Sequence, residues 1–112
     1  MLFRSELPNR TVPVIAAVNG MAVGGGFEIA MSADLIVAAD HAQFFLPEAR
    51  LGILPDVGAV RLPQLMPPHV AREVLLTGRR LSAADAQHYG IVNRVVPGGE
   101  LLDAAQIGRA HV

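Results

Sequence analysis

Apolar residues along this chain fall into short blocks separated by glycine, proline and asparagine, and the spacing inside each block predicts its element. Val12 to Val18 is an almost continuous apolar run, rich in β-branched residues and bounded by Asn19-Gly20, which predicts a buried strand of a parallel sheet. Gly24 to Gly26 then opens a stretch, Phe27 to Ala33, whose Phe, Ile, Ala and Met content favours a helix. Leu35 to Ala38 and Gln43 to Leu46 read as the next two strands. Pro47 to Gly58 is punctuated by proline, glycine and Asp56, so it reads as a loop with at most one helical turn around Glu48. Pro68 to Thr77 has a helical period, with Val70, Val74 and Leu75 on one face, and Gly78 closes it in a position that tolerates a left-handed backbone. Ser82-Ala83-Ala84-Asp85 approximates a capping box and starts a helix that Gly90 ends. Ile91 to Val96 returns as a strand, and Glu100 to Ala105 begins a last helix. Strand and helix alternate throughout, which predicts an α/β fold with parallel strands.

Composition changes the picture in one respect. A chain of 112 residues corresponds to one small domain, yet 52% of it is apolar and only 17% charged, against a usual charged share of about 25%. That is more apolar surface than so short a chain hides alone, so further chain or partner subunits are expected to supply the cover. Both ends carry a second signal of incompleteness. Ile107 to Val112 (IGRAHV) is what a common sequencing adapter encodes, and Met1 to Ser5 (MLFRS) is what its reverse read gives. Residues 1–5 and 107–112 are therefore expected to be non-native, and 6–106 to be a partial natural domain.

Charge and cysteine content narrow the function classes. The net charge is −1 and all nine basic residues are arginine, standing singly apart from Arg79-Arg80. No basic face for nucleic acid and no polybasic membrane patch results, so neither partner is expected. The early apolar run, broken at Asn19 and Gly20, is too short for a membrane span of about 20 residues and too interrupted for a secretory leader. The absence of cysteine excludes disulfides and thiolate metal sites and points to a reducing, cytoplasmic setting.

Three places could carry chemistry. Gly24-Gly25-Gly26-Phe27-Glu28 follows a buried strand and opens a helix, where backbone N–H groups lack internal partners and glycine allows close approach of a ligand. The cluster makes either an oxyanion-binding turn or simply a tight strand-to-helix connection. Glu28, between Phe27, Ile29, Ala30 and Met31, is either a desolvated acid/base or a solvated carboxylate beside Ser32. Glu48 follows Phe44, Phe45, Leu46 and Pro47 at the start of a loop, where it is either a catalytic group or a first-turn glutamate favoured by a helix dipole. The four histidines, His41, His69, His88 and His111, lie 19 to 28 residues apart and have no ligand spacing, so no metal is expected. No nucleophile elbow is present.

The run PVIAAVNGMAVGGGFEIAMSADLIVAADHAQFFLPEARLGILPDVGAVRLPQL, followed by LLTGRRLSAADAQHYGIVNRVV, resembles the central part of the crotonase family of enoyl-CoA hydratases and isomerases. The likeness rests on the strand, the glycine triplet, the first Glu, Pro-Glu, Leu-Gly-Ile-x-Pro, Thr-Gly and Gly-Ile-Val-Asn occurring in order. Within the family, RLPQLMPP followed by TGRRLSAADA looks most like the branch that handles carnitine-derived thioesters. The resemblance implies a spiral of ββα turns, a homotrimer or dimer of trimers, and an acyl-CoA thioester substrate, with CoA arriving on the substrate and no other cofactor.

Carried over residue by residue, the resemblance implies that the Gly25 N–H binds the thioester oxygen, Glu28 activates water and Glu48 protonates Cα. It also suggests Gly24, Pro55 and Asp56 as substrate neighbours. The second oxyanion N–H and the CoA nucleotide pocket are expected outside this chain. Two departures bear on the pocket wall: Ala59 stands where many members have a second glycine, and the stretch from Pro55 to Arg61 is one residue short of the common form. The rival readings are a double-bond isomerase of the same fold, a crotonase-fold binding protein and an inactive fragment.

Overall fold

The computed structural model describes residues 12–47 and 56–110, with side chains described at 12–47 and 61–106. A single motif repeats in the first half of the chain. β1 (Ile15–Val18) and β2 (Met21–Val23) lead into α1 (Gly25–Met31), and β3 (Leu35–Ala39) and β4 (Gln43–Phe45) precede α2 (Asp56–Leu65). β1 pairs in parallel with β3, placing Ile15 opposite Leu35 and Val18 opposite Ala38. β2 pairs in parallel with β4, with Val23 opposite Phe45. The first strand of each turn thus enters one sheet and the second strand enters another, so the chain advances as a coil.

The second half adds one strand to each sheet. α3 (Pro68–Thr77) is followed by β5 (Leu81–Ser82), α4 (Ala83–His88) and β6 (Arg94–Val96), then by a 3₁₀ turn at Gly98–Glu100 and α5 (Leu101–Ala110). The sheet orders are β1-β3-β6 and β2-β4-β5. β6 runs parallel to β3, whereas β5 runs antiparallel to β4. That last pairing departs from the all-parallel expectation: β5 pairs through two residues only, Leu81 with Phe44 and Ser82 with Gln43.

β3 shows why a continuous apolar run belongs in the middle of a sheet. Ile36 and Ala38 join the main core with Phe27, Phe44, Leu46, Leu62, Val74 and Leu81. Val37 and Ala39 point the other way, into a smaller cluster with Val96 and with Leu101 and Ala104 of α5. Alternate side chains face opposite sides of a strand, so both faces are covered and no polar position is needed.

Several boundaries differ from the expected ones. The first strand begins at Ile15 rather than Val12, because Pro13 has no N–H and the Val14 N–H is taken by the Asp34 carboxylate at 2.8 Å. Met21–Val23, to which the sequence pattern assigned no element, is a strand of its own. The stretch expected to be loop as far as Gly58 turns helical at Asp56, and the helix accommodates Pro63. Leu62 and Met66, four residues apart, are both buried, so tertiary burial overrides the local breakers. β6 starts at Arg94 rather than Ile91, since the Ile91 and Val92 N–H groups both donate to the Ala86 carbonyl, at 2.9 and 3.1 Å.

Helix ends follow the expected chemistry. Gly78 closes α3 with φ 69°, and its N–H donates to the Val74 carbonyl. Ser82 caps α4 by accepting from the Asp85 N–H at 3.0 Å. Arg79 ties α3 to α4: Nη1 donates to Glu73 at 2.5 Å and Nη2 lies 3.6 Å from Asp85. The bond to Glu73 holds the Arg79 pKa above its ordinary value.

Candidate active site

The site grows from the end of β2. Gly24 is buried and adopts φ 53°, ψ −119°, a conformation that a residue with a Cβ resists. Its N–H donates to the Phe45 carbonyl at 3.1 Å, and its own carbonyl accepts the Glu28 N–H at 3.0 Å. Gly24 therefore closes the strand-to-helix turn, and the fold itself demands a glycine there.

Gly25 and Gly26 differ from it in kind. Neither has a positive φ, both are exposed, and a Cβ built on either would meet nothing within 4 Å. Backbone conformation and packing among the described residues would accept alanine at both positions. The glycines instead leave open space against the first turn of α1, where the Gly25 N–H has no acceptor among the described residues.

Glu28 stands in that first turn, half-buried. Its neighbour Phe27 is fully buried and packs on Phe44 of β4 with ring centroids 5.5 Å apart at 55°, a tilted aromatic contact that holds α1 against the second sheet. Ser32 is no part of a solvated face beside Glu28. It is 6% exposed, and its hydroxyl donates to the Ile29 carbonyl at 2.6 Å. At the same end of α1 the Arg61 guanidinium, reaching from α2, donates to the Met31 carbonyl at 3.3 Å. Nothing in the sequence pattern pointed to Arg61, because a backbone carbonyl as partner leaves no side-chain signature.

β2 and β4 are parallel neighbours with Val23 opposite Phe45, so their carboxyl ends lie at one edge of the sheet. Gly24 to Glu28 follows β2 there, and Leu46-Pro47 follows β4. The region beyond the carboxyl ends of parallel strands is the usual ligand position in α/β sheets. Gly24, Gly25 and Glu28 thus lie together, and Asp56 is the first residue of α2. Glu48 and Pro55 lie outside the described residues, as does the Asp56 side chain.

The histidines add no competing centre. The His41 Nε2 lies 2.7 Å from the Asn19 carbonyl, and among the described residues no three His, Asp or Glu side chains are grouped to hold a metal. No helix among the described residues is long and apolar enough to cross a membrane.

Comparison with known proteins decides the family. The family model for enoyl-CoA hydratase/isomerase matches residues 4–110. The chain belongs to the enoyl-CoA hydratase/isomerase family. Among its relatives is a carnitinyl-CoA dehydratase of Escherichia coli K12, 57% identical over 103 residues, which are 91% of this chain and 40% of that protein. A carnitinyl-CoA dehydratase of Salmonella arizonae is 56% identical over the same shares. The solved carnitinyl-CoA dehydratase of Mycobacterium avium superposes with a TM-score of 0.85 at 46% identity, over 89% of this chain and 40% of its own. An enoyl-CoA hydratase of Mycobacterium tuberculosis gives 0.86 at 42% identity, over 89% and 40%. The coil of ββα turns is therefore part of the crotonase fold, and the chain spans about 40% of the length of the curated relatives it matches.

Proposed function

We propose that the full-length protein containing this chain is a hydratase/dehydratase of 2-enoyl-CoA thioesters, with a carnitine-derived acyl group such as that of crotonobetainyl-CoA as its substrate. The observation that carries the reading is the parallel register of β2 and β4, which sends Gly24-Glu28 and the segment leading to Glu48 off the same edge of one sheet. Names of relatives sharing more than half of their aligned residues with this chain support the choice of acyl group.

In the proposed reaction the Glu28 carboxylate takes a proton from water as the water oxygen bonds to Cβ. The π electrons of the Cα–Cβ bond move toward the thioester carbonyl, making an enolate whose oxygen the Gly25 N–H stabilises. Protonated Glu48 then delivers its proton to Cα and the thioester carbonyl re-forms. Dehydration runs the same steps backwards, with the two carboxyl groups exchanging roles. CoA arrives as part of the substrate, and no metal or redox group enters the scheme. Gly24, Pro55 and Asp56 are proposed to line the acyl pocket. A cytoplasmic trimer, or a dimer of trimers, is the proposed working form; the apolar excess of the chain supports cover by neighbouring subunits.

The direct test is hydration of crotonobetainyl-CoA and crotonyl-CoA by the full-length protein, followed by loss of enoyl absorbance. Turnover of both, with crotonobetainyl-CoA preferred, is expected. Migration of a double bond without water addition would replace the hydratase reading by an isomerase.

A further inference from the structure

The inference concerns Arg61 and rests on the proposed role of Glu28. α1 has only seven residues, so a small rotation of the helix carries its first turn away from any substrate held at the edge of the sheet. Its apolar anchors, Phe27, Ala30 and Met31, are buried in the main core, as are Leu62 and Met66 at the other side of the contact. Such packing fixes the distance between the two helices and most of their relative rotation. Directional bonds set the rest. At the carboxyl end of α1, the Ile29 carbonyl receives the Ser32 N–H and the Ala30 carbonyl receives the Ala33 N–H, both at 3.1 Å. Both donors come from the chain immediately after the helix and turn with it.

The Met31 carbonyl is served from a different element, by the Arg61 guanidinium of α2 at 3.3 Å. Arg61 is half-buried, which shields this charge-assisted bond from water, and a cation at the carboxyl end of a helix also complements its dipole.

We infer that Arg61 is a positioning residue for the proposed reaction: it locks the rotation of α1 against α2 and thereby aims the Glu28 carboxylate. A misplacement of about 1 Å at a reacting group lowers rate by up to roughly 100-fold, so the effect falls on the step that Glu28 performs and spares the step assigned to Glu48.

The test uses the full-length protein and two readouts, hydration of the enoyl-CoA and solvent deuterium exchange at Cα of the saturated acyl-CoA. R61M keeps the apolar stem and removes the donor. It is expected to lower kcat for hydration by about 10- to 100-fold, with KM within about twofold and Cα exchange largely retained. In the E28Q background R61M is expected to bring no further loss, because the group it aims is gone. R61K, which keeps a cation and a donor, is expected to recover part of the rate, and it carries the same test should R61M fail to fold. Parallel loss of hydration and exchange, or losses that multiply with E28Q, would assign Arg61 to general stability and overturn the inference. Full hydration by R61M, with E28Q impaired, overturns the Arg61 role alone. Full hydration by E28Q overturns the reading of Glu28 itself, and the Arg61 role with it.

Discussion

The Gly24 N–H donates to the Phe45 carbonyl across 3.1 Å, joining the turn that starts α1 to the last residue of β4. Glu28 follows that turn on one strand's continuation, and Glu48 follows Phe45 in sequence on the other. Adjacent strands lie about 4.8 Å apart, so the segments that run on from Val23 and Phe45 leave from neighbouring points.

That geometry bears first on the two glutamates, which are expected to fail differently when each becomes glutamine in the full-length protein. Glutamine keeps the shape but cannot act as a base or a carboxylic acid. E48Q should lower hydration and Cα deuterium exchange together. E28Q should lower hydration while exchange survives in part. Each loss of hydration is expected at about 10²–10⁴-fold. The reverse pattern in a paired assay would exchange the assignments, and undiminished hydration in both would make the carboxylates structural.

The adjacent glycines separate fold from chemistry. G24A places a Cβ on a backbone with φ 53° and is expected to destabilise by about 1–3 kcal/mol. G25A meets no atom within 4 Å and is expected to leave stability unchanged, or to raise it by less than about 1 kcal/mol. Hydration by G25A should nonetheless fall by about tenfold or more as the methyl group crowds the oxyanion position. Thermal unfolding alongside kinetics checks both, and a fully active G25A would remove the oxyanion role.

Asn93 completes a ladder with its side chain. Its Oδ1 accepts the Ile36 N–H at 2.8 Å, and its own N–H donates to the Ile36 carbonyl at 2.8 Å. N93A leaves the N–H of a residue only 4% exposed without that acceptor and is expected to destabilise by about 1–3 kcal/mol. N93D keeps an acceptor oxygen and should lose less in denaturant unfolding.

At the start of α4, S82A removes the oxygen that accepts the Asp85 N–H at 3.0 Å. A loss of about 1 kcal/mol is expected. S82D supplies another capping oxygen and should unfold close to the parent midpoint, whereas an equal loss in S82D would mean that the hydroxyl serves some other contact.

What could be read from the sequence was whatever local chemistry decides. α3 and α4 carry their own stop and start residues, Gly78 and Ser82, and β3 is apolar on both faces, so all three were legible. α2 was not, since Gly58 and Pro63 argue against a helix that the burial of Leu62 and Met66 stabilises. β5 exists because α3 returns the chain to β4, a fact of packing with no local pattern. In the site, Gly24, Gly25 and Glu28 are contiguous and were legible as a neighbourhood. Their pairing to Phe45 depends on sheet register, and the reach of Arg61 to a carbonyl depends on how two helices meet.

β3 lies between β1 and β6 with a core on each side, and this gives the molecule an internal clock. Residues Ile36 to Ala39 are at most 4% exposed, so water reaches their amide hydrogens only when a neighbouring strand or the Asn93 side chain is displaced. Those of the two-residue β5 need only a local breath. In heavy water the first group should persist until the whole unit opens, so its exchange rate reads the global unfolding free energy while the rim of the second sheet reads only fraying.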